Sequence, residues 1–300
     1  MGKALADAFE PARRTFEEVD DALGQNLSRL MWEGPADELT LTANAQPTIM
    51  AASLAVVRVL DAAGLDLAKH ARLVAGHSLG EYSALCAAGS FTLAETARLL
   101  KIRGTAMQEA VPVGEGGMAA LIGVDLAFAE QMAKEAVEAA TEADPVCVVA
   151  NDNAPGQVVI SGRTQTVARA GDLAKAKGAK RVIPLAVSAP FHSPMMKPAA
   201  EKMAAALSAA TVRPPAVPLV ANVSAAATRE PETIRRQLVE QVTGRVRWRE
   251  SVAAFGAAGA TGTVECGGKV LTGMVKRIDR ALATVSIETP DDIEAFARTL

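Results

Sequence analysis

From Met118 to Val187 the chain alternates in one order: "MAALIGV", "DLAFAEQMAKEAVEAA", "VCVVAN", "DNAPG", "QVVISG", "TVARAGDLAKAKG", "KRVIPLAV". The first, third, fifth and last stretches are short and rich in β-branched residues; the two long ones between them space apolar residues as a helix does. Strand, helix, strand, turn, strand, helix, strand is the βαββαβ order of a ferredoxin-like unit. The unit is bounded by the glycine-rich "VPVGEGG" (111–117) and the turn-like "SAPFHSP" (188–194). Residues 114–189 are therefore expected to form a small domain inserted into a larger one built from 1–113 and 190–300. Strand-like runs at 72–76, 217–224 and 261–266 and helical periods at 47–64, 92–110 and 194–210 continue the alternation outside it, so the fold class is α/β. Near the end, "TVSIETPDDIEAF" reads as a short strand followed by a helix that starts at Thr289, Pro290 and two acids.

Composition narrows the function classes. Lys plus Arg is 31 and Asp plus Glu 34, a net charge of −3 with both signs interspersed, and aromatic residues are 3% of the chain. With neither a basic tract nor rings to stack on bases, nucleic acid is not an expected partner. Cys86, Cys147 and Cys266 are odd in number and far apart, outside any CxxC or Cys/His spacing, which points away from a disulfide framework or zinc site and toward a reducing cytoplasm. The opening "MGKALADAFEPARRTFEEVDDAL" is an acidic, helical pattern without the apolar core of a signal peptide, and no uninterrupted apolar run is long enough for a membrane span.

Chemistry enters at "LVAGHSLGEYSAL", residues 73–85. Gly76-His77-Ser78-Leu79-Gly80 matches G-x-S-x-G, with a strand pattern before it and a helix pattern after it. Glycines two before and two after Ser78 permit a tight strand-to-helix turn that exposes the hydroxyl, and the Leu79 N–H is the natural first donor to an oxyanion. The plainer reading is a tight turn with a serine cap. A serine nucleophile needs a base, most often histidine. Of three histidines, His77 is the serine's neighbour and His70 lies before the strand in the charged "AKHARL". That leaves His192, in a turn directly after the last strand of the inserted unit. No acid is clearly placed to orient it, so a backbone carbonyl is expected to take its second N–H. "CGGKVLTG" lacks the glycine and the Ser/Thr that a phosphate loop requires, which excludes a nucleoside-triphosphate site.

Taken together, "GPADELTLTANAQPTIMAASLA", "AGHSLGEYSALCAAGSFTLAE", "RGTAMQEAVPVGEGGMAALIG", "NDNAPGQVVISG", "PLAVSAPFHSPMMKPA" and "GGKVLTGMVKRI" resemble the malonyl-CoA:acyl carrier protein transacylases of fatty-acid synthesis, relatives of polyketide-synthase acyltransferase domains. The resemblance covers nearly the whole chain. It implies a hydrolase-like parallel-sheet domain carrying the ferredoxin-like insertion, with the site between them. It further implies that Ser78 takes malonate from coenzyme A, that His192 is base and acid, and that Arg103 holds the malonyl carboxylate, for which a planar guanidinium is suited. Phe191 and Leu79 resemble malonyl-selecting versions of their motifs. Gln46, Asn151 and Asn153 match family positions near the pocket, and Arg247, in "GRVRWRES", would supply the carbonyl that orients the histidine. Acyl carrier protein is the implied acceptor and partner, malonyl-CoA the substrate, and no metal or redox cofactor is implied. Lys180, Arg181, Lys276, Arg277 and Arg280 are candidates for receiving the acidic carrier.

Members of that family begin with a strand and a Gly-Gln-Gly loop that supplies a second oxyanion donor, whereas "MGKALADAF" matches them only beyond that loop; an upstream native start is the expectation. Two other readings stay open on the residues alone: a serine esterase or thioesterase, since G-x-S-x-G does not distinguish water from a thiol as acceptor, and a non-catalytic carrier-protein-binding form.

Overall fold

A computed structural model describes residues 1–300 and contains nine strands in three sheets, surrounded by helices. The four-stranded sheet within 114–189 is the most regular. Strands β2 (Gly116–Ile122), β3 (Cys147–Ala154), β4 (Gln157–Arg163) and β5 (Arg181–Pro184) pair antiparallel in the order β3-β4-β2-β5. Side chains alternate across the pleat, and the two faces of β2 bury different things. Ala119 and Leu121 join Ile160, Met132 and Val167 in a core beneath the helices Leu126–Glu138 and Thr164–Ala176. Met118 and Ala120 join Ala150 and Val159 on the opposite face, and Phe191 packs against them. The sheet thus carries one dry core of its own and offers its second face to the rest of the chain.

The larger part holds the parallel pair β1 (Val74–Ala75) and β6 (Leu219–Val220), to which β7 (Ala227–Thr228) adds antiparallel, and a separate parallel pair, β8 (Gly262–Cys266) and β9 (Ala283–Ile287). The architecture is α/β with mixed sheets. Its main core of 38 buried residues lies around the long helices Thr42–Ala62 and Leu93–Glu109 and includes Met50, Val56, Leu60, Leu100 and Met107. Every strand-like run in the sequence contains a strand, but 72–76 and 217–224 keep only two paired residues each. Both are cut short by site residues: Gly76 opens the turn that carries Ser78, and Asn222 turns its amide onto that turn rather than continuing a ladder. The two-residue β7 is too brief to leave a period in the sequence.

The helix Thr42–Ala62 starts five residues before Pro47, earlier than its apolar period suggested. Its first turn lies against Gly104 of the helix Leu93–Glu109, where a Cβ would stand 2.4 Å from the Thr42 carbonyl oxygen. That close approach brings Gln46 and Arg103 together. No helix is long and apolar enough to cross a membrane.

Candidate active site

The Ser78 turn is built as its glycines foretell. A Cβ on Gly76 would lie 1.9 Å from the Gly80 carbonyl oxygen, so only glycine allows the strand to fold back on the helix Gly80–Ala87. Ser78 itself sits at φ 52, in the left-handed region that disfavours side chains. Around it the N–H groups divide their work. Those of Gly80 and Glu81 bond back to the His77 and Ser78 carbonyls, and that of Ser78 goes to Asn222 Oδ1 at 2.7 Å. The Leu79 N–H has no acceptor within the protein, which leaves it free for an oxygen outside.

Ser78 Oγ lies 2.8 Å from His192 Nε2. His192 is buried, at φ 56, with Nδ1 2.8 Å from the Gln241 carbonyl oxygen and 3.2 Å from that of Gly244. Two carbonyl acceptors at Nδ1 place the proton there and leave Nε2 as an acceptor toward the serine. Burial, reinforced by the nearby Arg103 charge, pushes the imidazole down to about 3, so it stands neutral and able to take a proton.

The orienting carbonyl is therefore not that of Arg247. Arg247 is the residue before the helix Trp248–Ala257, and its carbonyl accepts from the N–H and hydroxyl of Ser251, both at 2.9 Å. Its guanidinium pairs with Glu250. The carbonyls that do face His192 come from the end of the helix Pro231–Thr243, where the last turn has no intrahelical partners and its acceptors are free.

Arg103 is 1% exposed and forms no ion pair. Nη1 donates to Gln46 Oε1 at 2.7 Å, and Nη2 donates to Gln241 Oε1 at 2.8 Å and to Ser78 Oγ at 3.1 Å. The guanidinium also lies 5.7 Å from the centre of the Tyr82 ring. A buried cation hydrogen-bonded only to neutral groups beside a serine oxygen, with the Glu81 carboxyl acting on it from beyond contact distance, is a ready site for an anion.

Of the remaining expected residues, Asn153 Oδ1 is 2.8 Å from His77 Nε2, linking β3 to the residue before the serine. Asn151 is placed by a main-chain bridge to Val246, and its side chain makes no hydrogen bond to Ser78 or Arg103. Phe191 is half-buried between the two parts. Lys180, Arg181, Lys276, Arg277 and Arg280 are exposed and paired with no acid. Three site residues were not read from the sequence: Asn222, Gln241 and Glu81. A signal existed for Gln241, which with Gln237 interrupts the buried apolar face formed by Ile234, Leu238 and Val242; a polar side chain on such a face must have a partner.

The acyl transferase domain family matches residues 1–267. The malonyl CoA-acyl carrier protein transacylase of Bacillus subtilis (strain 168) is 45% identical over 100% of this chain and 92% of that protein. The crystal structure of an acyl-carrier-protein-S-malonyltransferase from Bartonella henselae, 53% identical, superposes with a TM-score of 0.96 over 100% of this chain and 94% of the other. A malonyl-transacylase solved with its type II PKS acyl-carrier protein, 40% identical, gives 0.94 over 100% and 95%. With a turn-borne serine, its histidine and the likeness running the length of the chain, this protein belongs to the acyl transferase domain family.

Proposed function

We propose that this chain is a malonyl-CoA:acyl carrier protein transacylase, moving malonate from coenzyme A to the phosphopantetheine thiol of acyl carrier protein through a malonyl-Ser78 ester. The observation that carries the substrate class is Arg103: a buried guanidinium with no acid partner, 3.1 Å from the nucleophilic oxygen. In acylation, His192 Nε2 takes the Ser78 hydroxyl proton as Oγ attacks the thioester carbon. The Leu79 N–H meets the developing oxyanion, and coenzyme A leaves as its sulfur takes that proton from His192. In the second half the carrier thiol gives its proton to His192 and attacks the ester, and Ser78 leaves as the hydroxyl. Ping-pong kinetics follow. Arg103, oriented by Gln46 and Gln241, holds the malonyl carboxylate, while Phe191 and Leu79 crowd the carbon where a branch would sit. Each step is carried by protein groups, and the proposal assigns none to a metal or redox cofactor.

The same reading takes residues 1–113 and 190–300 as a hydrolase-like domain and 114–189 as a ferredoxin-like subdomain, supported by the strand order β3-β4-β2-β5 and the parallel β1/β6 pair beside the nucleophile. It places the work in the cytoplasm, in keeping with three free cysteines.

The test is intact mass spectrometry after mixing with malonyl-CoA, with Ser78→Ala as control, followed by addition of acyl carrier protein. The expected result is a malonyl adduct on the unaltered chain only, discharged onto the carrier. Discharge to water at the same rate without carrier would make the chain a thioesterase, and the absence of any adduct would leave a binding role.

A further inference from the structure

Glu81 is fully buried in the first turn of the helix behind the nucleophile, where a carboxylate would ordinarily be solvated. Its Oε2 accepts the Asn222 N–H at 3.0 Å and Gln241 Nε2 at 2.7 Å, and its Oε1 has no partner. Those two donors belong to residues that between them hold the whole site. The Asn222 side chain accepts from Ser78 N–H and donates to the Gly76 carbonyl, each at 2.7 Å. Gln241 donates from Nε2 to the Ser78 carbonyl, accepts Arg103 Nη2 on Oε1 and offers its main-chain oxygen to His192 Nδ1.

The amide of Gln241 has two possible orientations, and the groups around it permit one. Arg103 only donates, so Oε1 must face it; Nε2 must then find acceptors on the other side. The Ser78 carbonyl is one and Glu81 Oε2 is the other. We propose that Glu81 is a positioning residue: by accepting from Gln241 and Asn222 it locks the Gln241 amide with its oxygen toward Arg103, and so aims the guanidinium at an acyl carboxylate beside Ser78. The proposal rests on the transacylase reading above and adds to it a residue that positions the guanidinium on which selectivity depends. What the two donors need is an acceptor oxygen at the Oε2 position, and an amide oxygen supplies one as a carboxylate does.

The experiment compares acylation of Ser78 by malonyl-CoA and by p-nitrophenyl acetate, a neutral activated ester, in the full chain and in Glu81→Gln and Glu81→Met. Glu81→Met keeps the length but removes the acceptor; it should lower the malonyl rate relative to the neutral ester by about tenfold to a hundredfold, the size associated with a buried donor losing its partner. Glu81→Gln should restore the wild-type ratio to within a few-fold. Equal losses for both acyl donors in Glu81→Met, or a Glu81→Gln ratio as low as that of Glu81→Met, would overturn the proposal. Should Glu81→Met not fold, Glu81→Asp, which draws the oxygen back by one methylene, is read by the same ratio. A wild-type chain that reacts with the neutral ester and not with malonyl-CoA would refute the transacylase reading itself, an outcome distinct from the others.

Discussion

Ser78 Oγ and His192 Nε2 stand 2.8 Å apart, and both residues hold left-handed backbone, at φ 52 and φ 56. Neither is a glycine, so each conformation costs about 1–3 kcal/mol and survives only because the surroundings over-determine it. For Ser78 those surroundings are Gly76, Asn222 and the start of a helix; for His192 they are two carbonyls at the end of another. The pair is held from opposite sides, with little freedom left in either partner.

Removing the base from this pair should cost most of the rate. His192→Ala is expected to slow formation of the malonyl adduct by at least about a thousandfold, as in other serine–histidine pairs, while leaving some acylation from the oxyanion donor and substrate binding. Rapid quench and intact mass would read the adduct over time. A loss below tenfold would mean that another group takes the serine proton.

Arg103→Met should separate charged from neutral acyl donors. Hydrogen bonds to charged groups contribute about 1.5–3 kcal/mol, so malonyl acylation should fall roughly tenfold to a hundredfold more than acylation by p-nitrophenyl acetate. Arg103→Lys should recover little of it, because an ammonium cannot hold Gln46, Gln241 and a carboxylate in one plane.

The depressed His192 makes a prediction about pH. The base must be neutral to act, and with its value near 3 it stays neutral across the range in which a free histidine would protonate. The second-order acylation rate with p-nitrophenyl acetate should thus show no acid limb between about pH 8 and pH 5, where an ordinary imidazole would lose activity below about 6.5. Burial is the first cause of the depression and the Arg103 charge the second; Arg103→Met should move the limb upward.

Glu81 gives a stability prediction of opposite character. Burial raises its carboxyl to about 7, against the pull of Asn222, Gln241 and Arg103. A raised folded value means that the native state binds the proton more tightly than the unfolded one. Its stabilising share is full below the unfolded value, near 4.5, and is lost as pH rises through about 7. Glu81→Gln lacks this dependence, so in urea unfolding it should gain stability relative to wild type on going from about pH 5 to pH 7.5, by up to about 2 kcal/mol. A constant difference across that range would show that Glu81 titrates normally.

Gly104→Ala tests the contact that joins Arg103 to Gln46. The added methyl would meet the Thr42 carbonyl at 2.4 Å and the Ala43 Cα at 2.7 Å, so the two long helices must part. The expected cost is about 1–3 kcal/mol of unfolding free energy, seen as a lower denaturation midpoint, together with a malonyl-to-neutral ester ratio shifted in the same sense as in Arg103→Met.

The local chemistry was written in the sequence. Gly76 before Ser78 announces a turn that only glycine can make at that position, because a Cβ there would meet the main chain four residues on, at Gly80. The βαββαβ order was equally legible, since strand and helix periods need nothing beyond neighbouring side chains. His192 emerged by elimination among three histidines, and Arg103 from resemblance. What the tertiary structure alone decided is who holds them. The acceptor for His192 came from Gln241 and Gly244 rather than Arg247, because a carbonyl is present in every residue and only the end of a helix leaves it free to face outward. Glu81 and Asn222 were invisible for a related reason: a carboxyl and an amide are ordinary residues until folding buries them, 141 positions apart, against one another.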